Sequence, residues 1–294
     1  MPSKLNLTPS RSVRPSRALP RTPIGQSLHL SPVRRTRSLD LDDREIKQRG
    51  AEDFLPLPPY LHWPAFQKWF GERWKVGEHV AAVGETGSGK TTFCRNVLQM
   101  RSFAVVLGTK SKDEDLYPAL EALGFVRTDT WNPWEYEETH ERYVIFAPPL
   151  DVPDDATERD LLGAEEEQAG KFRTALIQVN KAGGWCVYSD EIATITNDMG
   201  LKRTVNLLYR EARSKSLTLI ASTQRPREVP LNIFQQAKWF ILWQISDRDD
   251  RYRAAQYAGQ LMPIVDYTCA QLPRFEFLCL HKPTGEIVRS RVGG

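Results

Sequence analysis

The sequence is poor in the residues that build disulfide and metal sites, and it has no long apolar run. Among its 294 residues there are four cysteines and five histidines. The cysteines are far apart and lack the spacings of zinc or redox motifs, so we expect reduced core thiols, as in a cytoplasmic protein. No apolar run approaches the ~20 residues that cross a bilayer, and the amino terminus lacks the apolar segment of a secretion signal. These absences exclude a disulfide scaffold and predict no membrane span.

The first 39 residues lack acidic side chains altogether. They contain eight Lys or Arg residues, six prolines and seven serines, and a stretch with so little apolar surface cannot offset the entropy cost of ordering. We therefore expect a basic, disordered tail over residues 1–50 and one α/β domain over residues 51–294. The positive charge of the tail favours contact with a nucleic-acid backbone. Docking on a partner protein, or no role at all, are the alternatives for the tail.

A single glycine-rich motif carries the strongest functional signal. Residues 84–91 read Gly-Glu-Thr-Gly-Ser-Gly-Lys-Thr, between an apolar run and a helix-forming run. This is the G-x-x-x-x-G-K-[ST] spacing of a phosphate-binding loop in its strand–loop–helix setting. Its glycines let backbone N–H groups turn towards phosphate oxygens. We expect Lys90 to contact the β- and γ-phosphates and Thr91 to ligate Mg²⁺. The residues expected to bind the nucleotide are Gly84, Glu85, Thr86, Gly87, Ser88, Gly89, Lys90, Thr91 and Thr92.

Two acids follow a second apolar run. Residues 185–188 favour a buried strand, and Ser189-Asp190-Glu191 comes directly after it. Ligands bind at the carboxyl ends of strands in open α/β sheets. We expect Asp190 to hold the Mg²⁺ shell and Glu191 to orient and deprotonate the attacking water. The pair predicts hydrolysis rather than a passive nucleotide switch; an acidic turn without a catalytic role is the alternative.

A third strand, predicted over residues 217–222, ends in Thr-Gln-Arg-Pro. Gln224 of this corner could hydrogen-bond the γ-phosphate or the attacking water. Taken together, the loop, the Ser-Asp-Glu segment and the Ser-Thr-Gln-Arg-Pro corner resemble the FtsK–HerA superfamily of DNA-pumping ATPases over residues 76–245. The resemblance implies a RecA-like P-loop fold, ATP as the nucleotide, Glu191 as the catalytic glutamate and Gln224 as the γ-phosphate sensor.

The same resemblance implies a hexameric ring in which each site receives an arginine from the neighbouring subunit. Such an arginine would stabilise charge on the transferred phosphoryl group. In the stretch 209–215, Arg213 matches best and Arg210 is the reserve. The alternative for Arg213 is a solvated position paired with Glu211 or a neighbour.

The rest of the sequence indicates how the domain is built. Strands are predicted near residues 80, 105, 145, 187, 219 and 241, with helices between most of them, which indicates a mostly parallel sheet. Segments 274–280 and 286–288 flank a Pro-Thr-Gly turn and predict an antiparallel hairpin at a sheet edge. Aromatic residues at helical spacing within 60–75 predict a helix docked on the core, with a stacking platform for bases as the alternative. The acidic stretch 135–167 is expected to face solvent, away from DNA.

The sequence therefore predicts a ring-forming, Mg²⁺-dependent ATPase that moves double-stranded DNA, for packaging or transfer of a phage or mobile-element genome. Two alternatives stay open. One is an ATPase that drives protein assembly or secretion without touching DNA. The other is a nucleotide-gated scaffold that does not hydrolyse ATP and recruits partners through its basic tail.

Overall fold

The computed structural model describes residues 57–110, 113–139, 142–150, 152 and 155–293. The predicted basic tail over residues 1–50 lies outside these described residues. The helices are α1 (Trp63–Arg73), α2 (Lys90–Leu98), α3 (Leu116–Glu121), α4 (Pro133–Thr139), α5 (Glu158–Ala182), α6 (Lys202–Glu211), α7 (Leu231–Gln236), α8 (Arg248–Ala255) and α9 (Met262–Gln271). The strands are β1 (His79–Val83), β2 (Ala104–Leu107), β3 (Val126–Thr128), β4 (Tyr143–Phe146), β5 (Cys186–Ser189), β6 (Thr218–Thr223), β7 (Ala237–Leu242), β8 (Glu276–His281) and β9 (Glu286–Arg291).

All strands of the described chain belong to one sheet, in the order β3-β4-β2-β5-β6-β1-β7-β8-β9. The seven strands from β3 to β7 in this order pair in parallel. β8 pairs antiparallel with β7, and β9 antiparallel with β8. The predicted mostly parallel sheet with a carboxyl-terminal antiparallel hairpin is therefore confirmed, and β1, which leads into the glycine-rich motif, lies in its interior.

Two hydrophobic cores cover the two faces of the sheet. Because successive strand residues point to opposite faces, Ala81 and Val83 of β1 contribute to the core that includes α5 and α6. Val80 and Ala82 contribute to the core that includes α1 and α2. A strand buried on both faces reads as a continuous apolar run, which is why β1 could be recognised in the sequence.

Helix α1 packs its aromatic side chains into the second core. Trp63, Phe66, Trp69 and Phe70 are buried, and the ring centroids of Phe66 and Phe277 lie 4.9 Å apart in an edge-to-face contact. Aromatic pairs in this arrangement contribute more than their buried area alone. The predicted core role of this helix is confirmed, and these rings are not accessible for stacking on bases.

The four cysteines, Cys94, Cys186, Cys269 and Cys279, are all buried free thiols, as the sequence predicted. Among the described helices, none combines the length and the apolar character that crossing a membrane requires.

Candidate nucleotide-binding site

The glycine-rich motif forms the connection between β1 and α2. Gly87 and Gly89 have φ angles of 70° and 108°, in the left-handed region that favours glycine. A Cβ atom on Gly84 would lie 2.6 Å from Cβ of Trp243, and one on Gly89 would lie 2.6 Å from Cγ2 of Val292. The glycines are thus required both by backbone conformation and by the close approach of the loop to the residues behind it.

Lys90 lies against the inside of this loop. Its Nζ donates to the carbonyl oxygens of Gly84 and Glu85 at 2.7 and 2.8 Å. Burial lowers the pKa of Lys90, while the carboxylates of Asp190 and Glu191 act in the opposite direction. An ammonium group has three donors, so a third is left for an anion cradled by the loop.

The loop also holds a buried hydroxyl group without a partner. Oγ of Ser88 is shielded from solvent and forms no hydrogen bond within the described residues. Buried polar atoms are nearly always satisfied in native proteins, so an unsatisfied one at a predicted ligand site calls for an explanation. A phosphate group in the loop would bring acceptor oxygens to this region, and the site therefore fits the predicted nucleotide.

Thr91 and Asp190 are brought together where α2 begins and β5 ends. Thr91 Oγ1 donates to Asp190 Oδ1 at 3.1 Å, and the hydroxyl of Tyr188 donates to the same oxygen. Hydroxyl and carboxylate oxygens are ligands of Mg²⁺, which binds through one or two protein groups together with phosphate oxygens and water. This pair therefore fits the predicted metal.

Glu191 lies half-buried beside the same site. Its carboxylate accepts hydrogen bonds from the backbone N–H groups of Gln224 at 3.2 Å and Ala193 at 3.4 Å. Burial raises the pKa of Glu191, although the hydrogen bonds from Thr223 and Gln224 partly offset this. A carboxylate with a raised pKa is a stronger base than one in water, which suits proton abstraction near neutral pH.

Gln224 is in contact with the glycine-rich loop. Thr86 Oγ1 donates to Gln224 Oε1 at 2.7 Å. The contact follows from the sheet order, because β6 pairs with β1 in parallel register, with Thr223 opposite Val83. The structure thus joins the loop, Asp190, Glu191 and Gln224 in one place, as the strand-end argument predicted, while the roles assigned to them stay predictions.

The two candidate arginines lie elsewhere. Arg213 is exposed and lies in the turn between α6 and β6, at the amino end of β6. The glycine-rich loop follows the carboxyl end of β1, which is parallel to β6. At about 3.3 Å per residue, a six-residue strand separates the two edges by roughly 20 Å. Arg210 is also exposed, 4.0 Å from Glu211. Neither arginine belongs to the site of its own chain, so either could act only on a neighbouring copy.

Sequence reasoning missed three residues that shape the site, namely Tyr188, Ser246 and Trp243. Tyr188 precedes Asp190 by two positions and so lies on the same face of the strand, a signal that the period of two could have supplied. Glu85 Oε1 accepts from the backbone N–H of Ser246 at 2.8 Å, and the hydrogen bonds from Ser246 lower the pKa of Glu85. Ser246 and Trp243 come from the region after β7, and no local pattern indicates that they touch the loop.

No protein-family model matches the chain. The energy-coupling factor transporter ATP-binding protein EcfA2 of Geobacillus kaustophilus (strain HTA426) is 28% identical over 174 residues, which cover 51% of this chain and 60% of that protein. The chain thus matches about three-fifths of the length of this curated relative.

Among solved structures, the genome packaging NTPase B204 from Sulfolobus turreted icosahedral virus 2, in complex with sulfate, superposes with a TM-score of 0.51 at 16% identity, over 74% of this chain and 98% of that one. VirB4 of Thermoanaerobacter pseudethanolicus gives a TM-score of 0.48 at 10% identity, over 74% of this chain and 89% of that one, too low to add to the comparison. At these identities the likeness concerns the fold alone. The chain has a RecA-like P-loop fold with a mostly parallel central sheet, as its motifs predicted.

Proposed function

We propose that this protein is a Mg²⁺-dependent ATPase that assembles into a ring and moves double-stranded DNA, for packaging or transfer of a phage or mobile-element genome. One observation supports the proposed ATP hydrolysis. Glu191, whose pKa is raised by burial, lies beside the Thr91–Asp190 pair and is tied to the Gln224 corner that contacts the loop. Such a set contains a base, metal ligands and a phosphate cradle, which together are what hydrolysis of a triphosphate requires.

In the proposed reaction, the loop N–H groups and Lys90 bind the phosphate chain. Thr91 and Asp190 would hold Mg²⁺, which would supply positive charge to the phosphate oxygens. Glu191 accepts a proton from water as the water oxygen forms a bond to the γ-phosphorus. The bond between that phosphorus and the β–γ bridging oxygen breaks, and the oxygen keeps the electron pair, so ADP and phosphate are the products. Lys90 stabilises the developing negative charge.

Gln224 is proposed to report the γ-phosphate to the surface. The segment after it forms a 3₁₀ turn, Pro226–Glu228. In this turn, Arg227 Nε lies 3.0 Å from Asp250 Oδ1 of α8. A rearrangement at Gln224 when ATP is hydrolysed would therefore be transmitted to α8 through this ion pair, which offers a route from the nucleotide to a surface that could contact DNA.

The ring and its DNA cargo come from the superfamily resemblance and from charge. Arg213 lies at the end of the sheet opposite its own loop, so a head-to-tail arrangement of copies is needed to bring it to an active site, and such contacts form a ring when the rotation between copies closes. The eight basic residues within residues 1–39 would add affinity for the phosphate backbone.

A strand-displacement assay tests the proposal. A third strand bound as a triplex to linear duplex DNA should be released by the protein in the presence of ATP and Mg²⁺. Glu191→Gln should bind ATP but release none, whereas Glu166→Gln, at an exposed position of α5, should behave as wild type. Wild-type protein that hydrolyses ATP but never displaces the third strand would overturn the DNA-moving part and leave the ATPase.

A further inference from the structure

We propose that Arg274 binds the phosphate chain of the nucleotide in cis, as a second cationic ligand beside Lys90. This inference rests on the proposed nucleotide-binding function of the loop. It adds a residue from the turn before the carboxyl-terminal hairpin to a site that the motifs assign to β1, β5 and β6.

Arg274 lies in the turn that precedes β8, and this turn covers the glycine-rich loop. Nη2 of Arg274 is 3.8 Å from the position that a Cβ atom on Gly87 would occupy, and Cδ1 of Phe275 is 3.5 Å from the corresponding position on Gly89. Gly87 lies at the exposed apex of the loop. The guanidinium group therefore lies at the exposed apex of the glycine-rich loop.

The charge of Arg274 has no counter-ion. Its guanidinium lies 4.7 Å from the ring centroid of Phe275, and within the described residues it has no ion pair and no hydrogen bond. Arg227 and Arg251, on the neighbouring elements, differ in this respect. They pair with Asp250 and Asp266, at 3.0 and 2.7 Å. The five N–H donors of the guanidinium therefore lie without acceptors beside the predicted phosphate-binding loop, and the oxygens of a phosphate group would supply those acceptors.

The backbone holds this arginine in place under strain. Phe275 has a φ angle of 70°, in the left-handed region that a bulky side chain rarely adopts. Two hydrogen bonds fix the turn: Glu276 N–H donates to Pro273 O at 3.0 Å, and Val292 N–H donates to Phe275 O at 3.1 Å. Strained backbone of this kind persists where the surroundings impose it, and it is concentrated at ligand sites.

A phosphate contact is favoured over a contact with the base or the ribose. A guanidinium group matches the geometry of phosphate with two parallel hydrogen bonds, whereas its contact with a neutral ring is weaker. Arg274 should therefore add affinity for any ligand that carries the phosphate chain, with or without adenosine.

The test uses the full chain and isothermal titration with Mg·ATP and with inorganic tripolyphosphate, which lacks base and sugar. Arg274→Gln should weaken the binding of both probes by about tenfold, and Arg274→Lys, which keeps the charge, should weaken it less. Arg173→Gln, at an exposed position of α5, is the matched control and should bind both probes as wild type. Thermal unfolding of each variant checks that the fold is retained.

Three different results would contradict the role of Arg274, the phosphate contact or the nucleotide site itself. If Arg274→Gln binds both probes as tightly as wild type, Arg274 is not a ligand. If only ATP binding weakens, the contact is with adenosine and not with phosphate. If the wild-type chain binds neither probe, the nucleotide site itself is wrong, which is a failure of the proposed function and not of Arg274 alone.

Discussion

At Asp190, two hydroxyl groups donate to one carboxylate oxygen. Thr91 Oγ1 lies 3.1 Å from Oδ1, and Tyr188 shares that oxygen from a fully buried position. If Thr91 and Asp190 hold Mg²⁺, as proposed, Thr91 would turn to the metal, whereas Tyr188 would keep orienting the carboxylate. Such outer partners of metal ligands typically change metal affinity 10–100-fold when removed.

Tyr188→Phe should therefore raise the Mg²⁺ concentration needed for half-maximal ATP hydrolysis by about tenfold, because Asp190 loses a donor while the ring keeps its place in the core. Tyr209→Phe is the control, since Tyr209 is also buried but belongs to the other core. The measurement is the rate of ATP hydrolysis as a function of Mg²⁺ concentration in both variants and in wild type. The same midpoint in Tyr188→Phe and wild type would remove Tyr188 from the site.

Burial of Glu191 has a consequence for the pH profile. Because its pKa is raised, Glu191 becomes protonated at a higher pH than an ordinary glutamate. If Glu191 is the base, as proposed, turnover should fall as pH decreases through that raised value. Glu191→Gln should lower kcat on the order of 10²–10⁴-fold and abolish this acid limb, while ATP still binds. Turnover measured from pH 5 to pH 8 checks both points. An acid limb that persists in the residual activity of Glu191→Gln would assign it to another group.

At the scale of the element, β1 contains a buried histidine that no function requires. Nδ1 of His79 accepts the backbone N–H of Leu219 in β6 at 3.1 Å, which is possible only for the neutral ring. Burial, with the charge of Lys238, lowers the pKa of His79 to about 4. The imidazole of His79 thus forms part of the β1–β6 pairing that brings the glycine-rich loop and Gln224 together.

The lowered pKa predicts a loss of stability in mild acid. The folded state keeps His79 neutral, whereas the unfolded chain takes up a proton below pH 6.5. Stability from this group is therefore present above pH 6.5 and is lost as pH falls towards 4. Between pH 7 and 4.5 the loss should be about 2–3 kcal/mol.

Denaturant unfolding of wild type and His79→Asn at both pH values isolates the contribution of His79, because carboxylates and Lys238 affect both proteins alike. The variant should lose less stability than wild type over this range. Equal losses in the two proteins would show that His79 does not titrate in this way.

The elements also show where sequence-based prediction succeeds and fails. Strands β1, β5 and β6 were predicted because burial on both faces makes them continuous apolar runs. β3 was missed, since it lies at the sheet edge and its residues are largely exposed. The start of α5 is also hard to predict, because its first turns lack an apolar period; the helix begins at Glu158, where Thr157 and Asp160 form a capping box.

The site likewise contains residues that the sequence predicts and residues that it does not. Asp190, Glu191 and Gln224 could be predicted, since parallel strands end at one edge of the sheet and local motifs mark each end. Arg274 and Ser246 could not, because their contacts with the loop depend on how the segments around β7 and β8 pack across it. No spacing in the sequence encodes that packing.

At the scale of the whole molecule, the proposed catalytic role of Arg213 requires a second copy of the chain. Arg213 lies at the amino end of β6, at the end of the sheet opposite the loop. In the proposed ring, each subunit would present this end to the nucleotide of its neighbour. A complete site would then consist of residues from two chains.

Arg213→Ala should bind ATP normally and lose turnover on the order of 10³-fold or more. Mixing it with Lys90→Ala should restore part of the activity, because Arg213→Ala subunits bind ATP and Lys90→Ala subunits supply the arginine. Each variant alone is the control. Steady-state phosphate release measures the outcome. If Arg213→Ala turns over as wild type, the assignment is wrong and Arg210 is the next candidate.

The central claim is that ATP hydrolysis by this protein is coupled to double-stranded DNA. Its most direct test is steady-state ATP hydrolysis by the full chain, with and without linear duplex DNA, at low and at moderate salt. We predict that DNA stimulates turnover and that the stimulation fades as salt rises, because phosphate contacts release counterions. Hydrolysis that is indifferent to DNA at low salt would contradict the claim and would direct attention to a protein cargo instead.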